Sequence, residues 1–322
     1  MGATATVLGA SGYSGGEVVR ILAGHPAIEL AVAAGDAHSG RRLDEVHPQL
    51  AGAWDGELVA VGDALAEPYD VVFSCLPSGV LSPVVEDAAA EVIVDLADDF
   101  RADASWAYGL TEWARPAVSG ARRIANPGCY PTAALLCLLP FAAAGAISGP
   151  VIVDAISGVS GAGRRASDHL SFGTISAGVV AYGSTNHRHV PEIERGLARL
   201  GGLEATVSFT PHLAPMARGL LVTARAVLET ELTDEAALEV LRERYEDEPF
   251  IEVRPEWPGT KSLTGSNRAH VSARIDGRNG LLIASAAIDN LGKGAAGQAV
   301  QNANLALGID EVAGLESYGV WP

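Results

Sequence analysis

The sequence predicts an α/β protein, with a doubly wound parallel sheet followed by an α+β domain built on a mainly antiparallel sheet. Three observations predict it. Residues 4–8 read as a short strand that runs into Gly9-Ala10-Ser11-Gly12-Tyr13-Ser14-Gly15 and then into a helical segment at 18–22. Buried-strand runs recur at 28–34, 69–76 and 91–96, and such strands alternating with helical segments give a parallel sheet with helices on both faces. The second half changes character. There the runs 269–275 and 281–288 flank Asp276-Gly277-Arg278-Asn279-Gly280, which reads as an antiparallel hairpin.

Composition narrows the function classes. The 322 residues suffice for two domains. Lys and Arg number 22 against 39 Asp and Glu, a net charge of −17. That balance argues against a DNA or RNA partner, whose phosphates recruit cations. The three cysteines, at 75, 129 and 137, are an odd set without C-x-x-C, so neither a disulfide framework nor a zinc knuckle is expected. The apolar run 133–147 contains Pro140 and is too short to span a membrane. No basic, apolar leader opens the chain, and a cytoplasmic location is expected.

The first turn has the spacing G-x-x-G-x-x-G, a variant of the dinucleotide fingerprint between strand and helix, hence a Rossmann-type domain. Gly9 allows the tight turn, Gly12 lets backbone approach a pyrophosphate, and Gly15 lets the helix pack closely on the strand. Ser11, Tyr13 and Ser14 complete the turn, and phosphates sit over the helix N-terminus. After the second strand, Asp36 is the residue type that binds the ribose hydroxyl of NAD, whereas Ser39, Arg41 and Arg42 suit the extra phosphate of NADP. The strand 69–76 ends at Pro77-Ser78-Gly79, a loop suited to lie over the cofactor. The strand 91–96 leads to Arg101, at the carboxyl end of the strand, where such folds bind ligands.

A strand at 123–125 enters Asn126-Pro127-Gly128-Cys129-Tyr130-Pro131-Thr132, followed by a long apolar run. Pro131 suits a first helical turn, so Cys129 is placed at a helix N-terminus. Unsatisfied N–H groups and the positive end of the dipole there favour a thiolate. The domain change is set here. Further on, the strand 151–156 opens into Ser157-Gly158-Val159-Ser160-Gly161-Ala162-Gly163-Arg164, small residues ending in a cation, a pattern that presents N–H groups and a guanidinium to an anion. His187 ends a polar loop from Tyr182 and precedes a helix opened by Pro191-Glu192, a good position for a base over a cleft. His187 and His189 lack a third ligand at metal spacing, so no metal is expected.

The motif 126–133, Asn-Pro-Gly-Cys-Tyr-Pro-Thr-Ala, resembles the nucleophile motif of the N-acetyl-gamma-glutamyl-phosphate reductase family of arginine biosynthesis, and the resemblance runs nearly end to end. It implies Cys129 as nucleophile and His187 as the catalytic histidine. It implies NADP(H) as cofactor, bound by Gly9, Ser11, Gly12, Tyr13, Ser14, Gly15, Ser39, Arg41, Arg42, Pro77, Ser78 and Asn290. The substrate would be a small acyl phosphate held by Arg101, Tyr130, Ser157, Gly158, Arg164, Tyr182, His189 and Arg218. The segment 289–300 reads as a helix rich in small residues, and the resemblance returns it to the first domain. The expected domains are therefore 1–128 plus 289–322 for the nucleotide, and 129–288 for substrate and oligomerisation, with a homodimer or homotetramer formed through the second sheet. A thiolate, an imidazole and a nicotinamide together imply reduction of an acyl phosphate through a thioester. Aspartate-semialdehyde dehydrogenase, a carrier-linked aminoadipyl-phosphate reductase, a cysteine hydrolase and a nucleotide sensor without catalysis are the competing readings.

Overall fold

The structure, a computed structural model, describes residues 2–321. Its contacts group the chain into two units: residues up to Gly128 together with Ala295–Leu315, and Cys129–Gly294 together with residues from Glu316 on. Residues 289–294 and 316–321, expected with the nucleotide domain, thus group with the second unit.

The first unit is a six-stranded parallel sheet. Strands β1 (Ala3–Leu8), β2 (Ile28–Ala34), β3 (Tyr69–Ser74), β4 (Ala90–Asp95), β5 (Ala107–Tyr108) and β6 (Arg123–Ala125) lie in the order β2-β1-β3-β4-β6-β5. The order reverses at β1, so the crevice beyond the carboxyl ends of β1 and β3 is the topological switch point. Helix α1 (Tyr13–Leu22) follows β1. The helices α2 (Leu43–Val46) and α3 (Val61–Leu65) are single turns between β2 and β3, and α4 (Thr111–Val118) precedes β6. The helix Gly297–Ala306 packs against α1, α4 and β4. The crossover from β3 to β4 carries only a 3₁₀ turn at Val85–Asp87. Pro77 and Pro83 in that stretch oppose a longer helix.

The second unit is organised by α5 (Cys129–Ala143). Every residue from Tyr130 to Ala142 is buried, as expected of a helix apolar on all sides. Its sheet has seven strands: β7 (Ile147–Gly158), β8 (Val180–Ala181), β9 (Val207–Ala214), β10 (Leu220–Leu228), β11 (Ile251–Val253), β12 (Ala269–Asp276) and β13 (Leu281–Ile288). The order is β11-β12-β13-β10-β7-β9-β8, antiparallel except for the β11–β12 and β7–β9 pairs. The expected hairpin is β12–β13, with Asp276 opposite Leu281. The one-turn helix α6 (Phe172–Ile175) lies in the long β7–β8 connection. Helices α7 (Val190–Gly201) and α8 (Asp234–Tyr245) pack on α5. Glycines let α7 approach closely: a Cβ on Gly196 would lie 2.5 Å from Leu135 Cδ1.

Pro140 lies inside α5 without breaking it. A proline there cannot donate to the carbonyl four residues earlier, which is that of Leu136. The Tyr245 hydroxyl, from α8, donates to the Leu136 carbonyl at 2.7 Å instead. The segment expected as one helix from 289 begins differently, with a π-helical turn at Gly292–Ala296 before Gly297–Ala306. No described helix is long and apolar enough to cross a membrane.

Tyr245→Phe tests the substitution of a side chain for the missing backbone donor. It keeps the ring and leaves the buried Leu136 carbonyl unpaired, so it should cost about 1–3 kcal/mol in urea unfolding. An unchanged midpoint would show that the hydroxyl supplies nothing to the helix.

Candidate active site

In the first unit the glycine turn is fixed by close approach. Gly9 has φ +77°, and a Cβ there would lie 2.5 Å from the Cys75 carbonyl oxygen. A Cβ on Gly15 would come within 2.3 Å of the Gly9 carbonyl oxygen. The first turn of α1 leaves the amides of Tyr13, Ser14 and Gly15 without intrahelical acceptors, an arrangement suited to a pyrophosphate. Gly35, at the end of β2, comes so close to Ser11 that a Cβ would lie 2.9 Å from its hydroxyl oxygen. The ends of β1, β2 and β3 thus meet around this turn, and their residues fit a dinucleotide. His47, missed in the sequence, braces the turn from the protein side. Its Nε2 donates to the Ala10 carbonyl at 2.8 Å, and its ring lies against Gly16.

The nucleotide-side candidates differ in their commitments. The Asp36 carboxylate accepts the Val61 N–H at 2.8 Å and so holds the start of α3. Arg41 and Arg42 are exposed on the following loop; Arg41 pairs with Glu45, and Arg42 pairs with Asp44 and Asp55. Ser39 is exposed beside them. Ser78 donates to Asp98, and the Gly79 N–H donates to Asp99 at 2.7 Å, tying the loop after β3 to the loop after β4. Arg101 is buried, with its guanidinium donating to the carbonyls of Asn126 and Leu96 at 2.9 and 2.8 Å.

In the second unit Cys129 is the first residue of α5 and is partly exposed. Gly294 lies directly against it: a Cβ there would be 2.8 Å from Cys129 Cβ. The phenols of Tyr130 and Tyr182 share a hydrogen bond of 2.9 Å. Both are pushed up, chiefly by burial, and both feel the Cys129 sulfur as a negative neighbour. The Tyr130 ring makes edge contacts with His187, His189 and Phe209 at centroid distances of 5.7, 5.8 and 5.1 Å. Tyr182 is positioned by β8, whose Ala181 pairs with His212, and by its own N–H on the Pro211 carbonyl.

The loop from Tyr182 to His187 is strained. Thr185, a β-branched residue, has φ +76°, whereas Gly183 at φ +55° takes that backbone freely. Such backbone at Thr185 is held only where surrounding structure over-determines it. Burial, and then the Arg188 charge, lower the His187 pKa, so the ring is neutral near pH 7. The His189 N–H donates to His187 Nδ1 at 3.2 Å. In that arrangement the neutral ring carries its proton on Nε2 and presents it as a donor. Serving as a base, the expected role, through Nε2 would require the other tautomer and loss of this bond.

The substrate-side candidates Ser157, Gly158 and Arg218 are drawn together, since β7 and β10 pair at Ser157 and Leu220. A Cβ on Gly158 would lie 2.8 Å from the Met216 carbonyl oxygen. Arg218 Nε bonds both oxygens of Asp289 at 3.1 and 2.8 Å. Asn290, expected at the cofactor, accepts the Gly219 N–H at 2.8 Å and donates to Ser160 Oγ at 2.9 Å. Arg164 is exposed beyond Gly163. These contacts add Phe209, Asp289 and Gly294 to the candidate residues; the sequence signal for the last two was the segment 289–300, rich in small residues.

Both halves of the chain match models of one class of protein. "Semialdehyde dehydrogenase, NAD binding domain" matches residues 4–121, and "Semialdehyde dehydrogenase, dimerisation domain" matches residues 129–290. Among solved structures, aspartate semialdehyde dehydrogenase II of Vibrio cholerae, complexed with ASA, superposes with a TM-score of 0.76 over 95% of this chain and 98% of that one, at 18% identity. The Candida albicans aspartate semialdehyde dehydrogenase with NADP gives 0.70 over 96% and 99%, at 16% identity; both likenesses establish the fold. N-acetyl-gamma-glutamyl-phosphate reductases are much nearer in sequence. That of Salinispora arenicola is 44% identical over the whole of both chains, and that of Thermus thermophilus 42% identical over 98% of this chain and 99% of its own. The chain belongs to the N-acetyl-gamma-glutamyl-phosphate reductase family.

The three cysteines differ in their surroundings. Burial pushes the Cys137 thiol up to about 12, and burial followed by the Asp95 charge pushes Cys75 up as well. Iodoacetamide at pH 7 should therefore modify Cys129 alone, as read by peptide mass spectrometry. Labelling of Cys75 or Cys137 at a comparable rate would contradict the assignment of the reactive sulfur.

Proposed function

We propose that this protein reduces N-acetyl-L-glutamyl 5-phosphate to N-acetyl-L-glutamate 5-semialdehyde, with NADPH as reductant and release of phosphate, a step of arginine biosynthesis. The observation that carries the reading is Cys129 at the mouth of α5, beside Gly294 and close enough to the Tyr130 and Tyr182 phenols to act on both, with those two rings in edge contact with His187. The names of relatives above 40% identity supply the acyl group.

The Cys129 thiolate attacks the acyl carbon, a C–S bond forms, and the C–O bond to phosphate breaks with its electron pair leaving on phosphate. NADPH, when bound, supplies a hydride to the thioester carbon. The reduced carbon then releases the Cys129 thiolate and leaves as an aldehyde. His187 offers its Nε2 proton to the carbonyl oxygen as that oxygen gains charge, a hydrogen bond that strengthens towards the transition state. Arg218 and the small-residue loop from Ser157 hold the anionic groups of the substrate. With Asp36 holding Val61, the exposed Ser39, Arg41 and Arg42 are the groups left for a ribose phosphate, supporting NADP over NAD. Two copies associate through the outer face of the second sheet, where Ile152 and Val227 are exposed, giving a homodimer or homotetramer.

Two variants and one comparison test the reading. Cys129→Ser should abolish NADPH oxidation with the acyl phosphate. His187→Asn should lower kcat by about 10²–10⁴ with little change in KM. In the reverse direction with phosphate and NADP, the acetylglutamyl semialdehyde should be used in preference to the aspartyl and aminoadipyl semialdehydes. Near-normal turnover by Cys129→Ser, or preference for another semialdehyde, would refute it.

A further inference from the structure

We infer that Asp289, at the end of β13, is the positioning residue for Arg218 and sets where the substrate's anionic group is held. The inference rests on the proposed reaction and deepens it. The Asp289 carboxylate is fully buried and accepts hydrogen bonds from four directions. Two come from its own turn, the N–H groups of Leu291 and Gly292 at 2.9 and 3.1 Å. A third is the Gly265 N–H at 2.6 Å, and the fourth is Arg218 Nε. Three backbone donors pin the carboxylate, so it cannot follow a mobile arginine; the arginine must come to it. The Arg218 side chain keeps about a fifth of its surface exposed while Asp289 keeps none. The charge is therefore anchored from the protein side, on an arginine whose side chain is itself partly exposed.

The backbone of Arg218 is pinned by the same turn. Asn290 holds the Gly219 N–H, and Gly158 accepts the 216–218 segment across a face where a Cβ would clash. Gly158, Val159 and Ser160 donate in turn to the carbonyls of Gly219, Met216 and Ala217 at 2.9, 2.8 and 3.3 Å. Asn290 also orients the Ser160 hydroxyl. The chain then runs directly into the turn whose Gly294 packs on Cys129. One short stretch, 289–294, thus fixes the arginine, the small-residue loop and the nucleophile relative to one another. An arginine held this way is a pre-oriented fork for a carboxylate or phosphate, with its ordering cost already met in the free protein.

Asp289→Asn keeps the shape and removes the charge. It should raise KM for the acyl phosphate by about tenfold to a hundredfold, since hydrogen bonds to charged groups carry that range, and leave KM for NADPH within about twofold. A double-mutant cycle with Arg218→Ala separates positioning from general damage. If Asp289 acts through Arg218, the KM effect of Asp289→Asn should vanish once the arginine is gone. Should Asp289→Asn not fold, Asp289→Glu, which displaces the guanidinium by one methylene, carries the same cycle. An effect that persists in the Arg218→Ala background, or that falls on the NADPH KM, overturns the inference while the reaction stands. Wild-type protein that fails to turn over the acyl phosphate overturns the reaction and the inference with it.

Discussion

The sulfur of Cys129 is held in place by a helix that has no freedom of its own. Helix α5 is covered along its length by β7, β10, β12 and β13 and by α7 and α8. A buried helix of this kind is close-packed and stiff. Its first residue therefore takes a position set by the whole second unit, not by a surface loop. The amides at such a helix start have no intrahelical acceptors and stabilise negative charge beside them. The helix thus supplies both fixity and electrostatics to the same atom.

That rigidity has a local cost at Pro140, where a hydrogen bond is missing, and the Tyr245 hydroxyl offsets it from a neighbouring helix. Elsewhere each unit, within itself, uses glycine to gain proximity. Gly294 lies against Cys129, Gly158 against the arginine segment, and Gly15 against Gly9. Each is a position where a methyl group would force backbone apart. The strained Thr185 loop shows the opposite device, a residue with a side chain held in left-handed backbone two positions before His187.

Much of this was legible in the chain because the informative residues are neighbours. Cys129 follows Pro-Gly and precedes an apolar run, so helix, turn and proposed nucleophile are written within one stretch. The glycine turn after β1 and the β12–β13 hairpin are local in the same sense. What was not legible depends on distant partners. Asp289 draws donors from positions 218, 265, 291 and 292, and nothing in its own neighbourhood announces that. His47 reaches Ala10 across 37 residues. The tautomer of His187 rests on a single N–H from His189, a detail of backbone angle that spacing does not encode. The π-helical turn at 292–296 was read as ordinary helix because Gly292 and Gly294 carry no pattern. Their meaning appears only against the Ser266 carbonyl and Cys129.

The most direct measurement is the intact mass of the protein after mixing with N-acetylglutamyl phosphate in the absence of NADPH. Covalent catalysis by a fixed thiolate predicts an acyl adduct on Cys129, cleaved by hydroxylamine, with phosphate released in equal amount. An unmodified chain, or an acyl group carried on another residue while the enzyme remains active, would contradict it.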